Sequence, residues 1–218
     1  MTLSGIIQTR FPPGVVVQVE KDSIVGVHAT SAALKEWAIV CRALADGRQT
    51  LLIRKGGILE NRNGFQVAYR DFWLFPTYVH QASTQVVPEI RAELESLRPV
   101  PDGALEIGLY AKVVDETKVD DLERLRGLHA LQVLSWECVE SRFRYRNRPG
   151  VHVLTLRLFR RPEPVRLMNR PWYDGCVSWV DLEQPISVEG LVPVLGDADF
   201  EARRAEIRAR LAGVPCSA

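Results

Sequence analysis

Two long β-prone runs, 131–146 (LQVLSWECVESRFRYR) and 151–160 (VHVLTLRLFR), flank the tetrad Asn147-Arg148-Pro149-Gly150. Paired runs about a turn-forming tetrad predict a β-hairpin, and a hairpin this long needs a sheet around it. Candidate strands for that sheet are plentiful. Residues 15–20 and 24–29 are β-branched runs around Lys21-Asp22-Ser23 and read as a shorter hairpin. Residues 49–55 read as a strand ended by Gly56-Gly57. Residues 72–78 read as a strand that Pro76 should end, because proline lacks the N–H a central ladder needs. Residues 104–114 alternate like a strand, and 176–182 give another.

Helical segments punctuate this β framework. Pro88 opens a predicted helix over 88–98. A second is expected over 117–127, capped by Thr117 and ended by Gly127, and a third, amphipathic, over 197–213 with Asp197 or Asp199 near its cap. The stretch 31–47 has two readings. Leu34, Trp37, Ala38, Cys41, Leu44 and Ala45 recur at helical spacing between Ser31 and Gly47, whereas WAIVC can equally be a strand turning at Asp46-Gly47. The expected fold is α+β: a mixed, mainly antiparallel sheet with flanking helices and a C-terminal amphipathic helix. The expected organisation is a flexible N-terminal arm over 1–14, a single α+β domain over 15–196, and a helix over 197–218 packed on that domain.

Composition narrows the function classes. Of 218 residues, 46% are apolar, enough for a substantial core, and 28 basic residues nearly balance 27 acidic ones for a net charge of +1. Attraction to a polyanion must therefore come from uneven placement of charge. Cys41, Cys138, Cys176 and Cys216 are widely separated and form no C-x-x-C pair, which argues against a zinc site or a disulfide framework and for reduced thiols. No strong cofactor or metal motif is present. The opening stretch has no apolar core of signal-peptide length, and no apolar run approaches the ~20 residues of a membrane helix. The expectation is a cytoplasmic protein with no membrane partner.

Within the predicted hairpin, Arg142, Arg144, Arg146 and Arg148 occupy alternate positions, and alternate residues of a strand share a face. Glu163 is the only acid between Ser141 and Arg170. Such a row repels itself unless an anion or acids from elsewhere in the fold lie against it. Guanidinium forks pair bidentately with phosphate, and a phosphate backbone would satisfy several at once. The plainer reading is a solvated strand whose charges block edge-to-edge pairing. Arg54-Lys55-Gly56-Gly57 adds two cations before two permissive glycines, whose amides can cradle an anion, although a Walker loop is absent. Glu36, Lys55, Glu60 and His80 form a candidate acid/base and electrostatic set, provided they meet in space. Cys176 follows Gly175 at a predicted strand mouth, but no G-x-S-x-G elbow supports a nucleophile there.

Four blocks, ALKEWA (33–38), LLIRKGGI (51–58), FPTYVHQ (75–81) and YDGCVSW (173–179), occur in that order. Together they resemble the signature blocks of domain-of-unknown-function family 1802, over about residues 31–182. The resemblance implies a bacterial-type cytoplasmic protein and assigns no catalytic residue. Two other likenesses fail at their chemistry. The glutamate-rich box of Nudix hydrolases is missing, and Ile53 stands where a PD-(D/E)-x-K nuclease would place an acid two residues before Lys55.

Three functions follow in order. The first is binding of DNA, RNA or another polyanion through the Arg-rich hairpin, with 54–57 as a second phosphate contact. The second is a phosphoesterase or nuclease-like enzyme using Glu36, Lys55, Glu60 and His80. The third is a non-enzymatic module that binds a protein partner or a second copy of itself, with Phe200, Ile207 and Leu211 as an apolar stripe.

Overall fold

A computed structural model describes residues 29–55, 69–175 and 177–213. In chain order the main elements are β1 (Ala29–Trp37), α1 (Ala38–Ala45), β2 (Leu51–Arg54), β3 (Asp71–Thr77), α2 (Arg91–Ser96), β4 (Ala104–Val119), α3 (Leu122–Arg126), α4 (Trp136–Arg144), β5 (Val151–Met168), β6 (Trp179–Ser187), β7 (Val192–Pro193) and α5 (Asp197–Leu211). The strands form one sheet in the order β2-β5-β4-β3-β1-β6, with β7 added to β5. β1 and β3 run parallel, and the other strand pairs are antiparallel. The architecture is α+β, with a mixed, mainly antiparallel sheet. The arm over 1–14, the hairpin over 15–29 apart from Ala29, and residues Gly56, Gly57, Glu60, Cys176 and Cys216 lie outside the described residues.

Strand periodicity divides the core into two clusters. Phe72 and Leu74 of β3 join one, while Trp73 and Phe75 join the other. On β4 the phase changes: Leu105, Ile107 and Tyr110 share a cluster across a register shift between Ile107 and Leu109. Gly108 lies in that bulge, where an added Cβ would come 3.1 Å from Pro164. Pro162 and Pro164 of β5 fall opposite the same irregularity, where the ladder is already broken.

The stretch 31–47 combines its two readings. Residues up to Trp37 belong to β1, and the helix starts at Ala38. β1 lies between β3 and β6 and is buried almost throughout, so sheet pairing overrides the helical spacing there. Glu36 is therefore a strand residue, not a helix residue. Pro76 is tolerated because β3 pairs with β4 only as far as Trp73, leaving β1 alone beside it.

The predicted hairpin over 131–160 is overturned. Its second arm is the long strand β5, but 136–144 forms helix α4. Local chemistry explains the difference. Ser135 caps the helix by accepting from the Cys138 amide at 3.3 Å, and Glu137 lies in the first turn. Val139 and Phe143, four residues apart, bury one face, and Glu140 pairs with Arg144 at 2.9 Å. The predicted helix over 117–127 is also corrected. Thr117 is paired with Val153 within β4, and Asp121 is the cap, accepting from Glu123 N at 2.9 Å.

α5 buries Phe200, Ile207 and Leu211. It is tied to β4 through Asp115, which accepts from Arg204 at 2.7 and 3.2 Å and from Arg208 at 2.5 Å. Asp115→Ala should loosen this attachment. Hydrogen exchange along Asp197–Leu211 is expected to accelerate roughly tenfold or more, with the central sheet unchanged. Unchanged protection in α5 would show that its other ties, the apolar contacts and polar links such as Arg157–Asp197, suffice without Asp115.

Candidate functional site

The parallel pair ends its two strands at the same side of the sheet, at Trp37 and Thr77. A cleft of about 860 Å³ opens there. Its lining draws on the end of β1, the end of β3 and the segment after it, residues 99–105, α4, and the segment leading into β6. Crevices at the carboxyl ends of parallel strands are frequent ligand sites in α/β sheets, because loops diverge there and leave space.

Glu36 forms the floor. Its side chain is only 2% exposed. Oε2 accepts from Arg54 Nη1 at 2.7 Å, Oε1 accepts from the Trp37 amide at 2.9 Å, and Arg142 Nη2 lies 3.9 Å away. Arg54 also donates to Ser178 Oγ at 2.9 Å and to the Lys35 carbonyl at 3.3 Å. Arg142 donates to the Ile53 carbonyl at 3.0 Å and places its guanidinium 4.9 Å from the Trp37 ring centre. Burial pushes the Glu36 carboxyl toward protonation, but the charges of Arg54 and Arg142, with the bonds from Trp37 N and Arg54, outweigh it and hold the group below its ordinary pKa.

Lys35 lines the same cleft. It donates to the Gly175 carbonyl at 3.2 Å and lies 6.0 Å from the Phe75 ring centre. Among the described lining residues, Lys35, Arg54 and Arg142 outnumber the carboxylates Glu36 and Asp174. His80 is exposed at the rim and holds φ at 64°, a left-handed conformation uncommon outside glycine.

The residues expected from sequence are thus divided. Glu36, Arg54 and Arg142 meet, and His80 shares their cleft. Lys55 does not join them. Its ammonium caps the end of α4, donating to the carbonyls of Phe143 at 2.7 Å and Gly150 at 2.8 Å and to that of Arg148. Glu36 is engaged by guanidiniums and Lys55 by carbonyls, so Glu36, Lys55 and His80 do not assemble as an acid/base set. Glu60, Gly56 and Gly57 lie outside the described residues.

The arginine row is also redistributed, because Arg142 and Arg144 lie on helix α4, which turns successive residues around its axis, whereas Arg146 and Arg148 follow the helix end, Arg146 with φ at 56°. Arg142 points into the cleft. Arg144 is exposed beside Glu140, Arg146 packs on Tyr145 with its guanidinium 5.2 Å from the ring centre, and Arg148 is exposed. Lys35, Trp37 and Ser178 were missed as site residues. The signal for Lys35 was the adjacent charge pair Lys35-Glu36 inside an otherwise apolar run.

Cys41 is buried near this floor. Its thiol is pushed well above the ordinary range by burial, with the Glu36 charge adding to the effect, so it is a poor nucleophile. Cys138 is also buried and free. Among the described residues, no group of three or more His, Cys, Asp or Glu could hold a metal ion, and no helix is long and apolar enough to cross a membrane.

The family model for a domain of unknown function, DUF1802, matches residues 33–206, which include the whole described part of the cleft. The chain belongs to that family. The comparison with curated proteins found no match. Among solved structures, the chain is similar to ASCH from Zymomonas mobilis, with a TM-score of 0.42 and 14% identity, covering 80% of this chain and 92% of that one. A point mutant of the same Zymomonas mobilis protein gives a TM-score of 0.42 and 16% identity over 70% of this chain and 90% of that one.

Proposed function

We propose that this protein binds nucleic acid, seating phosphate in the cleft at the ends of β1 and β3. The observation that carries the reading is the convergence of Arg54 and Arg142 on the buried carboxylate Glu36, in a cleft that Lys35 also lines from the Phe75 side. Among the described lining residues the cations Lys35, Arg54 and Arg142 outnumber the carboxylates Glu36 and Asp174, and a phosphate group has the charge and the shape that guanidiniums match. The exposed Arg144, Arg146 and Arg148 follow Arg142 directly in the chain and supply further contacts to a phosphate backbone. Glu36 acts as an internal counter-ion that holds both guanidiniums in position before ligand arrives.

Fluorescence anisotropy with labelled DNA and RNA oligonucleotides tests this. Affinity should fall steeply with salt, because each cation bound to the backbone releases counterions. If three phosphates are engaged, raising salt from about 50 to 200 mM should weaken single-strand binding roughly 20-fold. Arg144→Ala with Arg146→Ala should weaken all sequences alike and flatten the salt slope, and Lys35→Ala should do the same. Wild-type affinity in both variants would refute the reading.

A further inference from the structure

We infer that the element of nucleic acid entering the cleft is a single unpaired nucleotide, so that the protein prefers single strands to duplex. This rests on the nucleic-acid reading and adds to it what the site can admit.

The position of the cations carries the inference. The Arg54 side chain is 13% exposed and that of Arg142 20%, and both converge on a carboxylate that is 2% exposed. These donors lie at the bottom of a cleft. The phosphates of a duplex sit on a stiff cylinder whose width is maintained by base pairing, and such a cylinder meets surface cations rather than buried ones. An unpaired strand can turn a phosphate inward.

The rest of the lining has the character a free base requires. Val100, Ala104, Leu105, Tyr173 and Val177 contribute an apolar wall, and Asn169 brings an amide able to donate to and accept from a base edge. Bases splayed out of a helix are held this way, by apolar and aromatic faces with a few directed hydrogen bonds. The cleft's 860 Å³ lies within the range of preformed ligand sites. Beside it, Trp172 is 60% exposed, with its ring 6.0 Å from that of Tyr173 and the Arg170 guanidinium 5.8 Å from its centre. An exposed ring next to a cation is a stacking platform for a neighbouring base. Cationic floor, apolar wall and external ring together match phosphate, base and next base of an unpaired strand.

The test compares labelled 12-nucleotide single strands of DNA and RNA with duplexes of the same length at near-physiological salt, using the full chain. The expected result is at least tenfold tighter binding of single strands. Val100→Trp, which fills the apolar wall and replaces none of the cations, should bring single-strand affinity down to the duplex level while the thermal melt shows a folded protein. Equal or tighter duplex binding would overturn the inference and leave the nucleic-acid reading standing. Absence of binding to any oligonucleotide would overturn both. A single-strand preference that survives in folded Val100→Trp would remove the cleft as the seat of the base.

Discussion

Glu36→Ala is expected to lower the stability of the protein by about 3–5 kcal/mol, the range for removing one partner of a buried ion pair. The loss comes less from the missing contact than from what remains: Arg54 and Arg142, mostly buried and left without the carboxylate they share. Urea denaturation of wild type and variant measures it. Two further readouts separate this cause from simple cavity formation. Added inorganic phosphate should restore part of the lost stability in Glu36→Ala, because an anion that binds the folded state alone stabilises it by mass action. Glu36 should also give wild type a distinct acid limb. Its folded pKa lies below the ordinary value, so its contribution is fully present above the unfolded pKa of about 4.3 and is lost as pH falls through the folded pKa. Glu36→Gln should lack that part of the acid dependence. An unchanged acid limb would show that the guanidiniums do not depend on this carboxylate.

Phe143→Ala is expected to cost about 3–5 kcal/mol, as for other buried aromatic truncations. Phe143 is 4% exposed on the inner face of α4, and its carbonyl accepts from both Lys55 and the Gly150 amide. The informative comparison is Tyr145→Ala. In a strand, Phe143 and Tyr145 would share a face and the two losses would be similar. In the observed structure Tyr145 is 53% exposed beyond the end of the helix, so its truncation should change stability by about 0.5 kcal/mol or less. Comparable losses at the two positions, measured by chemical denaturation, would contradict the helical assignment of 136–144.

Much of the fold was legible because its signals are local. The alternation of 104–114, the β-prone run 151–160 and the apolar 72–75 each specify a strand regardless of neighbours, and all three lie in strands. The helix over 197–211 announced itself by acids near its start and apolar residues at helical spacing. The failures have a common cause. Residues 131–146 contain enough β-prone side chains to mimic a strand, yet Ser135, Glu137 and the Val139/Phe143 spacing favour a helix once a sheet face is available to cover. Conversely, 31–37 has helical spacing but is drawn into the sheet between two strands that come from residues 71–77 and 179–187, far along the chain.

The candidate site shows the same division. Sequence alone marked Glu36, Arg54, Arg142 and His80 as residues of chemical interest, since charges and imidazole stand out among apolar neighbours, and it identified the family through blocks distributed along the chain. Tertiary structure decided which of them meet. Glu36 and Arg54 stand on strands four places apart in the sheet order, too far for a side chain to span in a flat sheet, so curvature of the sheet brings them together; Arg142 arrives on a helix turn, and Lys55 is drawn to the carbonyls that end that helix instead. Chain order carries no information about such encounters: a residue's identity is local, but the company it keeps depends on strand order, register and helical phase, which only the assembled sheet defines.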